Sequence, residues 1–372
     1  MLRVRAARVF TGTQMLTPGE LVLEGEAVVA VGAPEEGPGE VVDLGDVTLA
    51  PGYVDVHDHG GGGAAFADDP ATAAALHRSH GTTAVVASLV TQSLDELEAQ
   101  IRRLAPLVDA GDLLGIHLEG PWLSPDYKGA HPVDKLRDPM RADVERLLDA
   151  GRGTVRMVTI APERAGALEA IAAIVDRGAV AAIGHTAATY EQTLAAIDAG
   201  ATGATHLFNA MPGLKHREPG PVLALLEDMR VWPELIADGV HLRPELVAWV
   251  MQVNDRVVLV TDAMAATGCA DGAYVLGDLP VEVTDGVAHI AGTNTIAGST
   301  LTLDRAVAHV IAAGVAPEVA LQAATSRPAR YLGLAPVGTF APGTRADAVV
   351  LDAAWSVQRV LYRGSWLDAP SS

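Results

Sequence analysis

The chain has 372 residues, which leaves room for one large domain with an accessory module. Its 26 basic and 46 acidic residues give a formal charge of −20, which argues against a nucleic-acid or an anionic-membrane partner. The single cysteine, Cys269, excludes an internal disulfide and a thiolate-rich metal site. Neither a signal sequence nor an apolar run of membrane-spanning length stands out, so we expect a cytoplasmic protein.

Short apolar segments bounded by turn residues occur at both ends of the chain, and such segments are typical of β-strands. They cover residues 21–25, 27–31 and 41–45 near the start, and 347–351 and 357–362 near the end. We expect them to form a small antiparallel β-sandwich from residues 1–50 and 341–372, which ties the two termini together beside a barrel of residues 51–340.

Between the termini, apolar runs alternate with amphipathic stretches. Eight runs rich in β-branched residues read as strands: 52–56, 83–87, 113–116, 155–160, 179–183, 201–205, 234–237 and 257–261. The stretches between them include four with helical period: 93–108, 143–150, 165–176 and 189–199. Repeated strand–helix units predict an α/β fold of the TIM-barrel type, (β/α)8, in which the residues after each strand share one face.

Polar side chains able to bind metal lie where these strands end, at His57, His59, Glu119, His185, His206 and Asp262. Each has an ordinary alternative when taken alone: a loop histidine, a satisfied core histidine, or a carboxylate that caps a helix or pairs with an arginine. Together they favour one polar site at one rim of the barrel, because six independent polar residues rarely coincide there by chance.

Histidine and carboxylate ligands suit a divalent metal. A His-x-His pair at the end of a strand points both imidazoles to one side, and Glu119 follows a strand too apolar to leave a carboxylate without a partner. We expect one or two ions, with zinc as the first choice and iron, manganese or cobalt also compatible. Asp262, after the eighth strand, is placed to accept a proton from an activated water.

Seven short motifs carry a resemblance to a known family. They are PGYVDVHDHG (51–60), HLEGP (117–121), KGAH (128–131), GHT (184–186), THLFNAM (205–211), ADGVH (237–241) and TDAM (261–264). Together they resemble the N-acetylglucosamine-6-phosphate deacetylases of the amidohydrolase superfamily. His-x-His is shared by many amidohydrolases, whereas HLEGP, GAH and THLFNAM together are specific.

The resemblance implies roles for particular residues. It implies a main metal site of Glu119, His185 and His206, and a second ion held by His57, His59, Glu119 and Asp262, with Glu119 in the bridging place that a carboxylated lysine takes in other amidohydrolases. His131 would polarise the acetyl oxygen, and Asp262 would shuttle the proton.

The resemblance also implies how the sugar phosphate is bound. Asn209 and Ala210 would contact the phosphosugar. Arg217 and His241 would contact its phosphate from the neighbouring subunit of a homodimer. The loop at residues 296–301, which ends at Leu301, would pack against the acetyl group.

Three functions remain open from the sequence. The first is deacetylation of N-acetylglucosamine 6-phosphate to glucosamine 6-phosphate and acetate. The second is another amidohydrolase reaction, on an N-acyl amino acid or a cyclic amide, which would not require Arg217 or His241. The third is a non-catalytic phosphosugar-binding barrel, which would have no use for the proton shuttle Asp262.

Overall fold

The computed structural model describes residues 1–367, so the last five residues of the predicted C-terminal module lie outside the described part. In chain order the strands are β1 (Leu2–Ala6), β2 (Arg8–Phe10), β3 (Met15–Leu16), β4 (Gly19–Glu24), β5 (Ala27–Gly32), β6 (Glu40–Asp43), β7 (Thr48–Pro51), β8 (Tyr53–Asp58), β9 (Gly60–Gly61), β10 (Ala64–Ala65), β11 (Thr82–Val90), β12 (Gly115–Glu119), β13 (Val155–Ile160), β14 (Val180–Ile183), β15 (Gly203–Ala204), β16 (Trp232–Ile236), β17 (Val258–Val260), β18 (Gly272–Leu276), β19 (Leu279–Thr284), β20 (Val287–Ile290), β21 (Ala348–Leu351), β22 (Val357–Tyr362) and β23 (Ser365–Trp366).

The α-helices are α1 (Pro70–Ser79), α2 (Leu94–Asp109), α3 (Arg141–Gly151), α4 (Ala167–Asp176), α5 (Tyr190–Asp198), α6 (Gly220–Glu227), α7 (Pro244–Val253), α8 (Leu303–Ala312), α9 (Pro317–Ala324) and α10 (Ser326–Tyr331). Two short 3-10 helices cover Pro125–Tyr127 and Val133–Lys135. Within residues 1–367, no helix is both long enough and apolar enough to cross a membrane.

The predicted TIM barrel is confirmed. Strands β8 and β11–β17 form an eight-stranded sheet in sequential order, and every neighbouring pair is parallel. A parallel bridge between Asp58 and Ala263 brings the last strand beside the first, so the sheet is almost closed. The carboxyl ends of these strands therefore meet at one rim.

Local sequence explains where the outer helices begin. At α2, the Ser93 side chain accepts from the backbone N–H of Glu96, and the Glu96 side chain accepts from the backbone N–H of Ser93. Thr189 and Gln192 form the same capping box at α5. Leu97, Ile101 and Leu104 are spaced three or four residues apart and form the buried stripe that packs α2 on the barrel.

The two termini form a second unit of two sheets. One sheet has the order β5-β4-β1-β6 and the other β23-β22-β21-β7-β2-β3. Their facing side chains share one apolar core that includes Val4, Leu21, Leu49, Val350 and Leu361. The sheets are mixed rather than purely antiparallel, because β1 pairs parallel with β6 and β2 pairs parallel with β7. These partners are separated along the chain by intervening strands, so no tight hairpin fixes them antiparallel.

A three-stranded antiparallel sheet, β18–β20, follows the last barrel strand, and the sequence analysis did not predict it. Its apolar side chains, which include Leu276 and Val281, pack with Met264 and Ala297 in a small core of their own. We call residues 272–290 the rim sheet, because Leu276 also lines the cavity described below.

Candidate active site

The six predicted metal ligands meet at the carboxyl-terminal rim of the barrel. His57 lies in β8 and Glu119 ends β12, whereas His185, His206 and Asp262 each lie two residues after a strand. These last three have left-handed backbones, with φ of 47°, 28° and 49° respectively. Such a conformation costs a non-glycine residue about 1–3 kcal/mol. The fold therefore holds these three side chains against a local backbone preference, as is common at functional sites.

Glu119 lies at the centre of the cluster. Its Oε1 is 3.1 Å from the Nε2 atoms of both His185 and His206, and its Oε2 is 3.0 Å from Nε2 of His59. On the other side, Asp262 Oδ1 is 3.4 Å from His57 Nε2 and 3.2 Å from His59 Nε2. Two groups of donor atoms share Glu119, each with all its atoms within 4.8 Å of one another: His57, His59, Glu119 and Asp262 in one, and Glu119, His131 and His185 in the other.

The outward-facing ring nitrogens of three histidines have hydrogen-bond partners in the protein. His57 Nδ1 is 3.1 Å from Oε2 of Glu234, His59 Nδ1 is 3.1 Å from the Ser88 carbonyl oxygen, and His185 Nδ1 is 2.9 Å from the Tyr127 carbonyl oxygen. Each acceptor favours a hydrogen on Nδ1 and leaves the lone pair of Nε2 facing the cluster. A divalent cation fits this set of donors.

These outer partners were missed in the sequence analysis. Glu234 did carry a signal, because it is a carboxylate in the middle of the apolar strand β16. Ser88 and Tyr127 contribute only backbone oxygens, for which the sequence gives no signal.

The charges of the cluster depend on one another. Burial opposes ionisation of Glu119, but neighbouring His57, His131, His185 and His206 outweigh it and hold the pKa of Glu119 well below its usual value. Burial likewise disfavours protonated His59, yet hydrogen bonds with Asp262 and Glu119 raise the pKa of His59 to about 9. The carboxylates therefore demand positive charge, which protons or a metal can supply.

His131 differs from the other histidines of the rim. His131 Nδ1 lies 2.9 Å from the Thr91 hydroxyl, which can donate or accept, and 3.4 Å from the Thr91 backbone N–H, which can only donate. The N–H therefore favours a hydrogen on Nε2. Burial, together with the neighbouring His185, lowers the pKa of His131 to about 4, so its ring is neutral at neutral pH. Its Nε2, 3.5 Å from Glu119 Oε2, lies at the wall of the cavity and can donate a hydrogen bond there.

A cavity of about 420 Å³ opens in front of the cluster. Its walls include Asn209, Ala210 and His241 among the predicted substrate-binding residues. Ala210, at φ 50°, belongs with His206 and Phe208 to a loop that has three left-handed non-glycine residues within five positions. The backbone in the THLFNAM motif is thus held in a shape that ordinary loops avoid.

Other predicted residues lie elsewhere. Arg217 is exposed on the loop before α6 and does not line the cavity of its own chain. Leu301 is buried in the barrel core, while Ile296 and Gly298 of the same loop line the cavity. His241 lies in the cavity of its own chain, so bringing it there does not require a neighbouring subunit.

His241 forms an ion pair with Asp238, with 2.7 Å between Nδ1 and Oδ2. Burial disfavours the charged ring, but the hydrogen bond and charge of Asp238 outweigh it and raise the pKa of His241 above its usual value. A cationic ring at the cavity wall can bind an anionic group.

The chain is similar to known proteins over nearly its whole length. The Amidohydrolase family model matches residues 48–367. The chain is 38% identical to the N-acetylgalactosamine-6-phosphate deacetylase of Escherichia coli O157:H7, over 97% of this chain and 98% of that protein. It is 34% identical to the N-acetylglucosamine-6-phosphate deacetylase of Vibrio furnissii, over 99% and 96% of the two chains.

Among solved structures, an aspartate-to-alanine mutant of the N-acetyl-D-glucosamine-6-phosphate deacetylase from Mycobacterium smegmatis, in complex with N-acetyl-D-glucosamine-6-phosphate, is 51% identical. The two folds match with a TM-score of 0.95 over 98% of each chain.

Proposed function

The chain belongs to the amidohydrolase family, and we propose that it is a metal-dependent deacetylase that hydrolyses N-acetylglucosamine 6-phosphate to glucosamine 6-phosphate and acetate. The observation that carries this proposal is a cluster of metal-binding side chains on both sides of Glu119 that opens into a cavity beside Asp262. On one side, the Nε2 atoms of His185 and His206 lie 3.0 Å from each other and 3.1 Å from Glu119 Oε1. The 51% identity to the mycobacterial deacetylase favours this substrate over an N-acyl amino acid or a cyclic amide.

We assign one ion to Glu119, His185 and His206, and a second to His57, His59, Glu119 and Asp262. The ligands are imidazoles and carboxylates, which suit zinc first and also iron, manganese or cobalt. A divalent ion bound there would act as a Lewis acid and make water a competent nucleophile at neutral pH.

Asp262 handles the proton in this reaction. Its carboxylate faces the cavity beside His57 and His59, where it can orient the attacking water and accept a proton from it. It then returns that proton to the sugar nitrogen, as the carbon–nitrogen bond breaks and acetate forms. Protonation is necessary because an unprotonated amine is a poor leaving group.

His131 stabilises the acetyl oxygen. Its neutral ring can donate from Nε2 at the cavity wall, toward the oxygen on which negative charge develops during attack. Donors of this kind are worth about 10²–10³-fold in turnover.

The sugar phosphate would occupy the outer part of the cavity. Cationic His241 supplies a charge-assisted hydrogen bond to the phosphate. Asn209 and the backbone of Ala210 face the same space and can contact sugar hydroxyls.

A second substrate is suggested by the Escherichia coli relative, whose name specifies the galacto epimer. The two sugars differ only in the orientation of the hydroxyl at C4, so one cavity could accept both. We propose the gluco form as the preferred substrate and the galacto form as the alternative.

Acetate release from metal-quantified protein tests the proposal. We expect rapid release from N-acetylglucosamine 6-phosphate, slower release from the galacto epimer, and very slow release from unphosphorylated N-acetylglucosamine. Chelation should abolish release and added zinc should restore it. If fully metallated protein releases no acetate from any of the three sugars, the proposed substrate class is wrong.

We also propose a homodimer in which Arg217 of one subunit reaches the phosphate in its neighbour. Arg217 suits this role because its planar guanidinium donates two parallel hydrogen bonds, and it is exposed outside its own cavity. Arg217→Ala and Asp262→Asn proteins, each inactive or weak alone, should regain activity when refolded together, because one mixed site then has both native residues. The lack of any recovery in proven mixed dimers would count against a shared site.

A further inference from the structure

Behind the metal ligands lies a buried hydrogen-bond chain that no step above uses. It runs from Tyr331 through Glu234 to His57. We propose that Glu234, held by Tyr331, is the positioning residue that fixes His57 as a metal ligand, an inference that rests on the proposed two-ion site.

Glu234 is entirely inaccessible to solvent in the centre of β16. Its Oε2 is 3.1 Å from His57 Nδ1, and the backbone N–H of His206 approaches the same oxygen at 3.4 Å. The carboxylate therefore contacts one ligand from each of the two proposed ion sites. Because it accepts from Nδ1, the ring of His57 presents its Nε2 lone pair to the cluster.

The other carboxylate oxygen of Glu234, Oε1, contacts Tyr331. The Tyr331 hydroxyl, at the end of α10, lies 3.3 Å from Glu234 Oε1 and 3.2 Å from Met157 Sδ. It donates its one hydrogen to the carboxylate, because a charged oxygen is a stronger acceptor than a thioether sulfur. Gly203 makes room for it, because a Cβ at that position would overlap the Tyr331 hydroxyl oxygen. A strand glycine and a helix tyrosine thus combine to orient one carboxylate.

The choice of a carboxylate at this position is informative. His59 and His185 are oriented by neutral backbone carbonyls, those of Ser88 and Tyr127, whereas His57 is oriented by a fully buried carboxylate. Burying a carboxylate is unfavourable unless it is paired and hydrogen-bonded, as Glu234 is here. A carboxylate partner makes the imidazole more basic and therefore a stronger metal ligand. A histidine that only filled the core would not need this increase in basicity.

The test compares metal binding by wild type and by Glu234→Gln. Glutamine keeps the shape but can donate from its amide nitrogen to Nδ1, which would favour the tautomer with hydrogen on Nε2 and remove the lone pair from the cluster. We expect about 10–100-fold weaker binding of the ion that uses His57, with the metal content falling from two ions toward one after dialysis. The measurements are calorimetric zinc titration of the metal-free proteins and elemental analysis.

Activity gives a second readout. The turnover of Glu234→Gln should recover as zinc is raised, while KM for the phosphosugar stays at the wild-type value. A variant that is only misfolded would not be rescued by metal. The exposed Tyr190–Glu227 pair has the same chemistry on the surface, so Glu227→Gln is the matched control and should bind metal as wild type does.

The outcomes separate this inference from the proposed function. If wild-type protein binds none of zinc, iron, manganese and cobalt, the proposed function fails. If wild type binds one or two ions and Glu234→Gln binds them with unchanged affinity, the role of Glu234 is wrong while the deacetylase stands. If Glu234→Gln does not fold, Tyr331→Phe is measured instead. Weaker zinc binding by Tyr331→Phe supports the proposed role of Glu234, and binding equal to wild type overturns it.

Discussion

Two regions of the molecule bury a glutamate, and they neutralise it in different ways. In the terminal module, Glu20 pairs with two arginines, 2.5 Å from Arg3 Nη2 and 2.7 Å from Arg5 Nε. At the barrel rim, Glu119 has histidines within 3.5 Å and no arginine or lysine among its ion-pair partners in residues 1–367. An arginine keeps its proton at every relevant pH, whereas a histidine can give it up.

This difference separates a structural charge cluster from a reactive one. The arginines satisfy Glu20 permanently, so nothing is gained there by binding a cation. The histidines satisfy Glu119 only with protons, which a metal can replace. Substitutions at the rim should therefore affect turnover, whereas substitutions in the terminal module should affect stability.

The largest expected effect comes from removing a carboxylate at the rim. Asp262→Asn keeps the shape of the side chain but cannot accept the proton of the attacking water, so we expect turnover to fall by about 10²–10⁴-fold. Acetate release measures turnover, and calorimetry should show that the phosphosugar still binds. Near-normal turnover would remove Asp262 from its assigned role.

An intermediate effect concerns the pair of Asp238 and His241. Since Asp238 raises the pKa of His241, the positive charge is fully present below the ordinary value of 6.5 and is lost as pH rises through the raised value. KM for the phosphosugar should therefore rise at alkaline pH.

In Asp238→Asn that rise in KM should begin at lower pH. In the pH range where only the wild-type ring is charged, KM should be about tenfold higher in the variant, as expected for loss of one charge-assisted hydrogen bond. A pH series of KM checks this, and unphosphorylated sugar provides the control. A rise that begins at the same pH in both proteins would contradict the phosphate contact.

The smallest effect on activity is expected in the terminal module. Glu20→Gln leaves Arg3 and Arg5 without their carboxylate, so we expect the melting temperature to fall by a few degrees. Turnover per folded molecule and metal content should stay at wild-type values, because Glu20 belongs to the module and not to the rim. If Glu20→Gln lost metal but kept the wild-type melting temperature, the distinction between a structural Glu20 and a reactive Glu119 would be wrong.

Strand periodicity allowed much of the barrel to be predicted. The run at residues 155–160 matches β13 in full, and the capping residues Ser93 and Thr189 lie where the sequence predicted helices to begin. The positions of Glu119, His185 and His206 at strand ends also predicted that they lie together, because parallel strands place their ends at one rim.

Other features depend on distances that sequence patterns do not contain. The contact between Glu234 and His57 joins the seventh and the first barrel strands, which are far apart in the sequence, so it exists only once the barrel closes. The rim sheet, by contrast, did carry a signal, because the side chains of β19 alternate between exposed and buried, which is the pattern of a strand with one face in solvent. The position of His241 in its own cavity followed from the path of a loop, which periodicity does not fix.

The pairing of β7 with β21 has a consequence for how the protein is made. Ala50 pairs with Val349, so the N-terminal half of the module leaves the ribosome long before its partner strand exists. At about 5–20 residues per second, the edge of β7 waits roughly 15–60 s for β21. During that interval the nascent chain exposes an unpaired strand edge, which is a hazard for aggregation. The strands near the C-terminus thus complete the sheet that the N-terminal strands begin. The speed of translation through the barrel sets how long the edge of β7 stays unpaired.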